Sequence, residues 1–360
     1  MIELSCVTKR YGGVTAVEEL TVTVADGEFA VLIGPSGCGK STTLRMVNRL
    51  VPLTSGTIRV DGTDVGSRAP EQLRREMGYV IQSVGLFPHM TVAGNIAVVP
   101  SLLKWPRQRT EARVDELLDL FGLDPSSYRD KYPRQLSGGE AQRVGVARAL
   151  AADPSILLMD EPFGALDPIT RETLQTEFSR IQRELGKTIV FVTHDIDEAI
   201  RLADRIVILR EGRLIQHDTP EKILTHPANR FVLEFIGSDR ALKRLSRMKT
   251  SDHMRPTASV KVMDSLAGAG AIVMRNGFAW VTCGEGVVRG RLDGQTLTGG
   301  AATAGEAMIP VNRGLEVIPA DASLREALSR MVQRGLRNAP VADEKGRLVG
   351  EISLEDILEA

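Results

Sequence analysis

The apolar residues in the longer, N-terminal part of the chain alternate between short continuous runs and longer helical repeats. The clearest continuous runs are Phe29–Ile33, Ile156–Met159 and Thr188–Val192. Strands that are apolar at every position are buried on both faces, as in a mostly parallel sheet covered by helices. We therefore predict an α/β domain over residues 1–237.

Within that domain the pattern changes to a helical one over about residues 88–153. Val114, Leu117, Leu118 and Phe121 recur at spacings of three and four residues, the period of one helix face. We expect this stretch to form a helical subdomain inserted in the sheet domain.

Residues 238–249 combine basic and apolar positions and predict an amphipathic linker helix. Leu242, Leu245 and Met248 recur every third residue among five basic side chains. These are Arg240, Lys243, Arg244, Arg247 and Lys249. We expect them to form a solvated face, with contact to an anionic membrane as the alternative.

Two shorter segments, 250–300 and 305–360, share an order of small strands, one helix, a glycine and a final strand. In the second, Leu324, Leu328 and Met331 lie on one helical face, and Ala339–Ala342 is a strand. The shared order indicates an internal repeat, which would form a small α+β domain.

Composition excludes several classes of protein. Apolar residues make up 42% and charged residues 25%, as in ordinary globular proteins, and the 45 basic residues nearly cancel the 46 acidic ones. We therefore expect no nucleic-acid partner. No apolar run approaches the about 18 residues of a membrane helix, and the N-terminus lacks the core of a signal peptide. The three cysteines, Cys6, Cys38 and Cys283, are too scattered for a disulfide framework or a zinc site. We expect a cytosolic protein.

A glycine-rich loop follows the first buried run and matches the phosphate-binding pattern G-x-x-x-x-G-K-[ST]. Glycines let backbone amides turn towards phosphate oxygens, and the N-terminus of the following helix adds a positive dipole. Lys40 would bridge the β- and γ-phosphates of ATP, and the Ser41 hydroxyl would ligate Mg²⁺. The ATP-binding residues expected here are Gly34, Pro35, Ser36, Gly37, Cys38, Gly39, Lys40, Ser41 and Thr42.

The run Ile156–Met159 ends in two adjacent carboxylates, Asp160 and Glu161. Side chains alternate across a strand, so these two residues cannot perform the same task. Asp160 suits the Mg²⁺ shell, and Glu161 suits polarising the attacking water in phosphoryl transfer. An ordinary acidic strand end is the alternative for this pair taken alone.

A second glycine-containing helix start, Leu136–Glu140, carries Ser137, Gly138 and Gly139. Ser137 can cap the following helix while the glycines expose amides, which makes a second phosphate-binding surface. Together with the phosphate loop, this sequence closely resembles the signature motif of ABC ATPases. The resemblance implies a P-loop NTPase fold with a helical subdomain.

The resemblance extends to further residues over 1–237. Tyr11 resembles the aromatic residue that stacks on adenine, and Gln82 the Q-loop glutamine that touches Mg²⁺ and senses the γ-phosphate. Ala165–Asp167 matches the D-loop, in which Asp167 contacts nucleotide, and His194 matches the catalytic switch histidine. In that family two copies meet head to tail, so the signature motif of one copy closes on the nucleotide held by the other.

Longer stretches resemble the ATPase subunits of bacterial importers for quaternary amines such as glycine betaine, carnitine, choline and proline betaine. They are Asn48–Leu50, Gly78–Gln82, Gly85–Val92 and Phe163–Arg171. This resemblance implies a membrane permease as partner, received by residues 85–100, and a substrate-binding protein that acts indirectly. The chain would then lie on the inner face of the membrane. Alternatives are another amino-acid-type importer, an exporter motor, or a non-transport ABC ATPase.

The same subunits often carry two CBS repeats after the ATPase, which the two C-terminal segments resemble. In the second, Ser353 and Asp356 match the hydroxyl and aspartate that hold a nucleotide ribose; in the first, Asp293 and Thr296 depart from the pattern. We expect a regulatory tail that senses a nucleotide effector or ionic strength, with a purely structural role in dimerisation as the alternative. Cys38 lies beside a helix N-terminus, which would favour its thiolate, but we expect its role to be that of a small filler that can be modified. We expect alkylation of Cys38 to block hydrolysis and MgATP to protect it.

Overall fold

The structure, a computed structural model, describes residues 1–82, 85–164, 166–298 and 301–360. Ala165 of the expected D-loop, and residues 299–300 of the first C-terminal segment, lie outside this range. The chain divides into two compact units, Met1–Gly237 and Ser238–Ala360.

The first unit contains two sheets. Six of its strands precede the helical subdomain in the chain, and four follow it. The strands are β1 (Ile2–Tyr11), β2 (Val14–Val24), β3 (Phe29–Ile33), β4 (Ser55–Val60), β5 (Thr63–Asp64), β6 (Met77–Val80), β7 (Ile156–Asp160), β8 (Thr188–Val192), β9 (Arg205–Arg210) and β10 (Arg213–Asp218). One sheet has the antiparallel order β2-β1-β4-β5. The other has the order β10-β9-β3-β8-β7-β6 and is parallel except for β10.

The three predicted buried strands are confirmed as β3, β7 and β8, and all three lie inside the parallel sheet. Phe29, Val31 and Ile33 of β3 face one apolar core, whereas Ala30 and Leu32 face the other. Because both faces of the strand are covered, every position is apolar. The carboxyl ends of these strands meet at one edge of the sheet, and the candidate site lies there.

The helices of the first unit include a cluster between β6 and β7 that corresponds to the expected helical subdomain. The helices of the first unit are α1 (Lys40–Val47), α2 (Pro70–Glu76), α3 (Val92–Ile96), α4 (Val98–Leu102), α5 (Arg107–Leu120), α6 (Pro125–Tyr128), α7 (Gly138–Leu150), α8 (Pro168–Leu185), α9 (Ile196–Leu202), α10 (Pro220–Thr225) and α11 (Arg230–Ile236). The cluster consists of α3 to α7. Val114, Leu117, Leu118 and Phe121 are all buried in the core of this cluster.

The second unit is built from short strands and helices. Its strands are β11 (Ser259–Lys261), β12 (Phe278–Thr282), β13 (Val288–Asp293), β14 (Ile309–Pro310), β15 (Ile318–Pro319), β16 (Asn338–Ala342) and β17 (Leu348–Ser353). Its helices are α12 (Arg240–Leu245), α13 (Thr250–His253), α14 (Leu266–Asn276), α15 (Ala304–Ala307), α16 (Arg313–Glu316), α17 (Leu324–Arg334) and α18 (Leu354–Glu359). Among the residues described, no helix of either unit has both the length and the apolar character that a membrane span requires.

The bounds of the two C-terminal repeats differ from the expected ones, because the first repeat lies along the chain between two parts of the second. The first has the sheet β11-β12-β13-β14 and the second the sheet β15-β16-β17. Residues of α15 pack in the core of the first repeat, although they follow position 300. Met254 packs against the second core, and Arg255 pairs with Glu351 of β17. The second repeat is therefore completed by a segment that precedes the first repeat's strands.

The expected linker helix is shorter than its sequence pattern suggests. Helix α12 ends at Leu245, and Leu245 and Met248 pack against the second repeat. Lys243, expected on a solvated basic face, is only 5% exposed and pairs with Asp239 at 3.1 Å. Leu242 is instead 43% exposed. Positions three residues apart drift around a helix axis, and here Leu245 and Met248 contact the core whereas Leu242 does not.

Candidate functional site

The phosphate loop connects β3 to α1, and two of its glycines are required by close backbone contacts. A Cβ on Gly34 would lie 2.1 Å from the carbonyl oxygen of Leu209, and one on Gly39 would lie 2.5 Å from that of Ala16. Gly39 also has φ 103°, which side chains disfavour. The loop therefore packs closely between β9 and β2, which fixes its position beside the cavity.

That cavity has a volume of about 460 Å³, and Lys40 lies in its wall. Its lining residues are Ala16, Ser36, Gly37, Cys38, Gly39, Lys40, Ser41, Thr42, Gln82, Glu161 and His194. The Lys40 ammonium donates to the carbonyl oxygens of Gly34 at 2.7 Å and Pro35 at 3.1 Å. The loop therefore fixes a nearly buried positive charge at the floor of a cavity of the size small ligands require.

Asp160, the last residue of β7, is held by α1. The Ser41 hydroxyl donates to its Oδ1 at 2.8 Å, and Arg45 Nη2 lies 3.7 Å from its Oδ2. Burial and the Asp160 carboxylate raise the pKa of the neighbouring Tyr79, against the effect of Arg45. Arg45 was missed in the sequence because an arginine one turn inside a helix has no recognisable pattern. Mg²⁺ takes few protein oxygens alongside phosphates, and the Ser41–Asp160 pair fits that requirement.

Glu161 lies one residue beyond the strand and faces different partners from Asp160. Its φ of 45° turns the chain sharply, and its amide donates to Val192 at 3.0 Å. Its Oε2 accepts from Gln82 Nε2 at 3.3 Å and lies 3.1 Å from His194 Nδ1. The ends of β6, β7 and β8 thus bring an amide, a carboxylate and an imidazole together over the phosphate loop.

Cys38 does not have the favoured thiolate expected from its position. It is only 3% exposed, and burial raises the pKa of its thiol against the effect of Lys40, whose Nζ lies 3.8 Å from Sγ. The expectation was wrong because the loop buries the sulfur, so desolvation outweighs the nearby ammonium and the helix dipole.

The signature motif lies away from this cavity. Ser137 caps α7 in a capping box with Glu140, whose Oε2 accepts from the Ser137 amide at 2.7 Å. Gly138 is exposed, and a Cβ on Gly139 would lie 2.8 Å from Cγ2 of Thr170 in α8. Asp167 caps α8 by accepting from the Thr170 amide at 3.0 Å. Hydrogen bonds from the Thr170 hydroxyl and then from its amide lower the pKa of Asp167. The signature and D-loop residues are therefore packed on one another.

Tyr11 ends β1 and is also absent from the described cavity wall. Its ring is 47% exposed, and the ammonium of Lys9 lies 4.6 Å from its centre. An exposed aromatic ring at a strand end presents a face on which a planar base can stack.

In the second unit, Ser353 and Asp356 are bonded to each other and to a third residue. Ser353 caps α18, and its hydroxyl donates to Asp356 Oδ2 at 2.7 Å. Arg255 forms an ion pair with the other carboxylate oxygen of Asp356, which is only 7% exposed. In the first repeat the roles are reversed, because Asp293 Oδ1 accepts from the Thr296 amide at 3.2 Å. Both pairs are accounted for by contacts within the chain.

The loop cradle, the buried lysine and the two carboxylates at the carboxyl edge of a parallel sheet define a P-loop nucleotide hydrolase. The family model "ABC transporter" matches residues 17–164, and the model "CBS domain" matches residues 305–360. ATP-binding proteins of ABC transporters also match the chain at 45% identity over 99% of its length. The chain therefore belongs to the ABC transporter family, as an ATP-binding protein that hydrolyses ATP.

Relatives of two kinds are similar to the chain. The glycine betaine/carnitine/choline transport ATP-binding protein OpuCA of Bacillus subtilis is 45% identical, over 99% of this chain and 96% of its own length. The spermidine/putrescine import ATP-binding protein PotA of Chromobacterium violaceum is 44% identical, over 71% of this chain and 69% of its own length. Among solved structures, the dimeric ABC transporter cassette MJ0796 has a TM-score of 0.55 at 35% identity, and the match covers 61% of this chain and 99% of that cassette.

Proposed function

We propose that this chain is the ATP-hydrolysing subunit of a membrane importer for quaternary-amine osmoprotectants such as glycine betaine, choline and carnitine. The observation that carries the proposal is the extent of the similarity. The polyamine relative has almost the same sequence identity to the chain as the quaternary-amine relative, but its match covers only 71% of the chain. The quaternary-amine relative matches over 99%, which includes the second unit.

The geometry of the cavity supports a role for each residue in hydrolysis. Lys40 would exchange its bonds to the Gly34 and Pro35 carbonyls for bonds to phosphate oxygens. Ser41 and Asp160 would hold Mg²⁺, which supplies charge neutralisation at the phosphates. Glu161, supported by Gln82 and His194, would orient the attacking water and accept its proton.

Two copies of the chain would complete the site. Ser137, Gly138 and Gly139 form the N-terminus of α7, and they lie outside the described wall of the phosphate-loop cavity. A helix N-terminus favours an anion. In a head-to-tail dimer this surface would meet the γ-phosphate held by the other copy's Lys40, and Asp167 would lie at the same junction.

The chain would act at the cytoplasmic face of the membrane, bound to a permease that receives the amine from a substrate-binding protein. Exposed apolar side chains near the expected docking segment 85–100 support this surface; they include Phe87 at 41% and Leu102 at 54% exposure. We propose no nucleic-acid partner.

The second unit would be regulatory. A nucleotide effector at Ser353 and Asp356 would first have to displace Arg255, so ionic strength is the better supported signal. Added salt weakens contacts between exposed charges, and Arg255 is 58% exposed where it meets the nearly buried Asp356. Deleting residues 250–360 should remove the salt response of ATP hydrolysis by the intact transporter. An unchanged salt response would refute this role.

The proposal is tested by uptake of labelled glycine betaine, choline and carnitine in cells with the wild-type chain, without it, and with Glu161→Gln. We expect cells with the wild-type chain to take up at least one of these amines, and cells without the chain or with Glu161→Gln to take up none of them. Co-purification identifies the partners. Polyamine or other amino-acid uptake, export, or co-purification with ribosomes in place of a permease would each refute the proposal in favour of another ABC function.

A further inference from the structure

Glu198 is a buried carboxylate to which the proposed hydrolytic mechanism gives no task. It lies in the first turn of α9 and is 6% exposed. Its Oε1 accepts from Gln175 Nε2 at 2.7 Å, and its Oε2 accepts from the Thr193 hydroxyl. Burial raises the pKa of this carboxyl, whereas the two hydrogen bonds favour its ionised form. Burying a carboxylate costs free energy of folding unless hydrogen bonds compensate for the lost water, so the two groups that donate to Glu198 indicate its role.

One of those bonds fixes the loop that carries His194. Thr193 directly precedes His194, and its hydroxyl also accepts from the Asp195 amide at 3.0 Å. Asp195 in turn caps α9 by accepting from the Glu198 amide at 3.3 Å. The residues on both sides of His194 are therefore tied to Glu198, and the imidazole between them lies 3.1 Å from Glu161.

The other bond leads to α8, the helix that begins at the D-loop. Gln175 is 2% exposed and lies on that helix two turns beyond its start. A second link runs parallel to it, because Arg171 Nη1 lies 4.0 Å from Asp195 and its Nη2 donates to the Leu166 carbonyl at 3.0 Å.

The first turn of the same helix contacts the signature motif. Thr170 packs so closely against Gly139 there that a Cβ on Gly139 would lie 2.8 Å from Cγ2 of Thr170. Helix α8 thus follows the D-loop and contacts the signature motif at its start, and its buried Gln175 contacts Glu198 of α9 two turns later.

We infer that Glu198 is a positioning residue, which couples α8 through Gln175 and Thr193 to the orientation of His194 against Glu161. A shift of α8, such as closure of a second copy on the signature motif and D-loop would cause, reaches the switch histidine through this buried carboxylate. The inference rests on the proposed hydrolysis at this site.

Substitutions at position 198 separate hydrogen bonding from simple burial. Glu198→Leu removes both acceptors, and we expect kcat for ATP to fall about 10- to 100-fold because the histidine is misplaced. The KM for ATP should change less than about twofold, since the Lys40 cradle is untouched. Glu198→Gln accepts from Thr193 and donates to Gln175 once that amide turns over, so it should restore kcat to within about threefold of wild type.

A double-mutant cycle in single-turnover hydrolysis tests whether Glu198 acts through His194. If it does, Glu198→Leu has little further effect in a His194→Ala chain. A control for the loss of a buried hydroxyl bond is Thr110→Val, far along the chain in α5, which should keep wild-type kcat.

Three results would overturn the inference: kcat within twofold of wild type for Glu198→Leu, equal losses for the Leu and Gln variants, or a loss that persists in full without His194. Wild-type hydrolysis, and its absence in Glu161→Gln, test the proposed function separately from any of these outcomes.

Discussion

The phosphate loop offers a test in which two neighbouring glycines should respond differently to the same substitution. Gly37 has φ 77°, and no described atom lies within 4 Å of where its Cβ would be. Gly39 has φ 103°, and its Cβ would lie 2.5 Å from the Ala16 carbonyl oxygen and 3.0 Å from Cγ2 of Val17. Alanine at Gly37 therefore meets only conformational strain, whereas alanine at Gly39 also meets the backbone of β2.

The difference can be given a magnitude. Placing a non-glycine residue in a left-handed conformation costs about 1–2 kcal/mol. Forcing an extra methyl group into a packed site adds about 1–3 kcal/mol. We expect Gly37→Ala to lower the free energy of unfolding of the first unit by about 1–2 kcal/mol and Gly39→Ala by about 2–5 kcal/mol.

The two tryptophans allow each unit to be followed separately. Trp105 lies in the first unit, with the Arg109 guanidinium 3.6 Å from its ring, and Trp280 lies in the second unit, 2% exposed. In a Trp280→Phe background, urea unfolding followed by fluorescence reports the first unit, and the variants are compared by their midpoints. ATP affinity, measured by equilibrium dialysis, should fall more in the Gly39 variant.

A Gly39→Ala chain as stable as Gly37→Ala would refute this reasoning. It would mean that the loop moves away from β2 at no cost, so that the contact with Ala16 does not hold the cradle in place.

Three further predictions concern single side chains. Glu161→Gln should lower the hydrolysis rate by at least about 100-fold while ATP binding persists, measured by phosphate release and dialysis. Alkylation of Cys38 should be slower than that of the exposed Cys6 at pH 7 and should accelerate as pH rises, because its raised pKa leaves little thiolate at neutral pH; MgATP should protect it, as peptide mass spectrometry would show. Arg255→Ala leaves the carboxylate of Asp356 without its cation and should destabilise the second unit by about 1 kcal/mol, less at high salt, as followed by the fluorescence of its tryptophan.

The pattern of apolar residues along the chain correctly predicted the buried strands of the parallel sheet. The runs at β3 and β8 are fully buried strands, as their almost wholly apolar sequences predicted, because helices or other strands cover both faces of the parallel sheet. The fate of Cys38 was not predictable in the same way. Whether its thiol or its thiolate is favoured depends on how deeply the loop packs against β2 and β9, elements far apart in sequence.

The pair Ser353 and Asp356 in the second unit is a further case in which the sequence pattern alone does not decide the role of a residue. A serine followed three residues later by an aspartate satisfies both a helix capping box and a ribose-binding pattern, and Ser353 with Asp356 forms the capping box. The residue that decides between them is Arg255, which reaches Asp356 because the segment that precedes the first repeat packs on the second. Because the backbone of Arg255 also pairs with Glu351 of β17, an effector that bound Asp356 would displace a side chain carried by the segment that completes the second repeat.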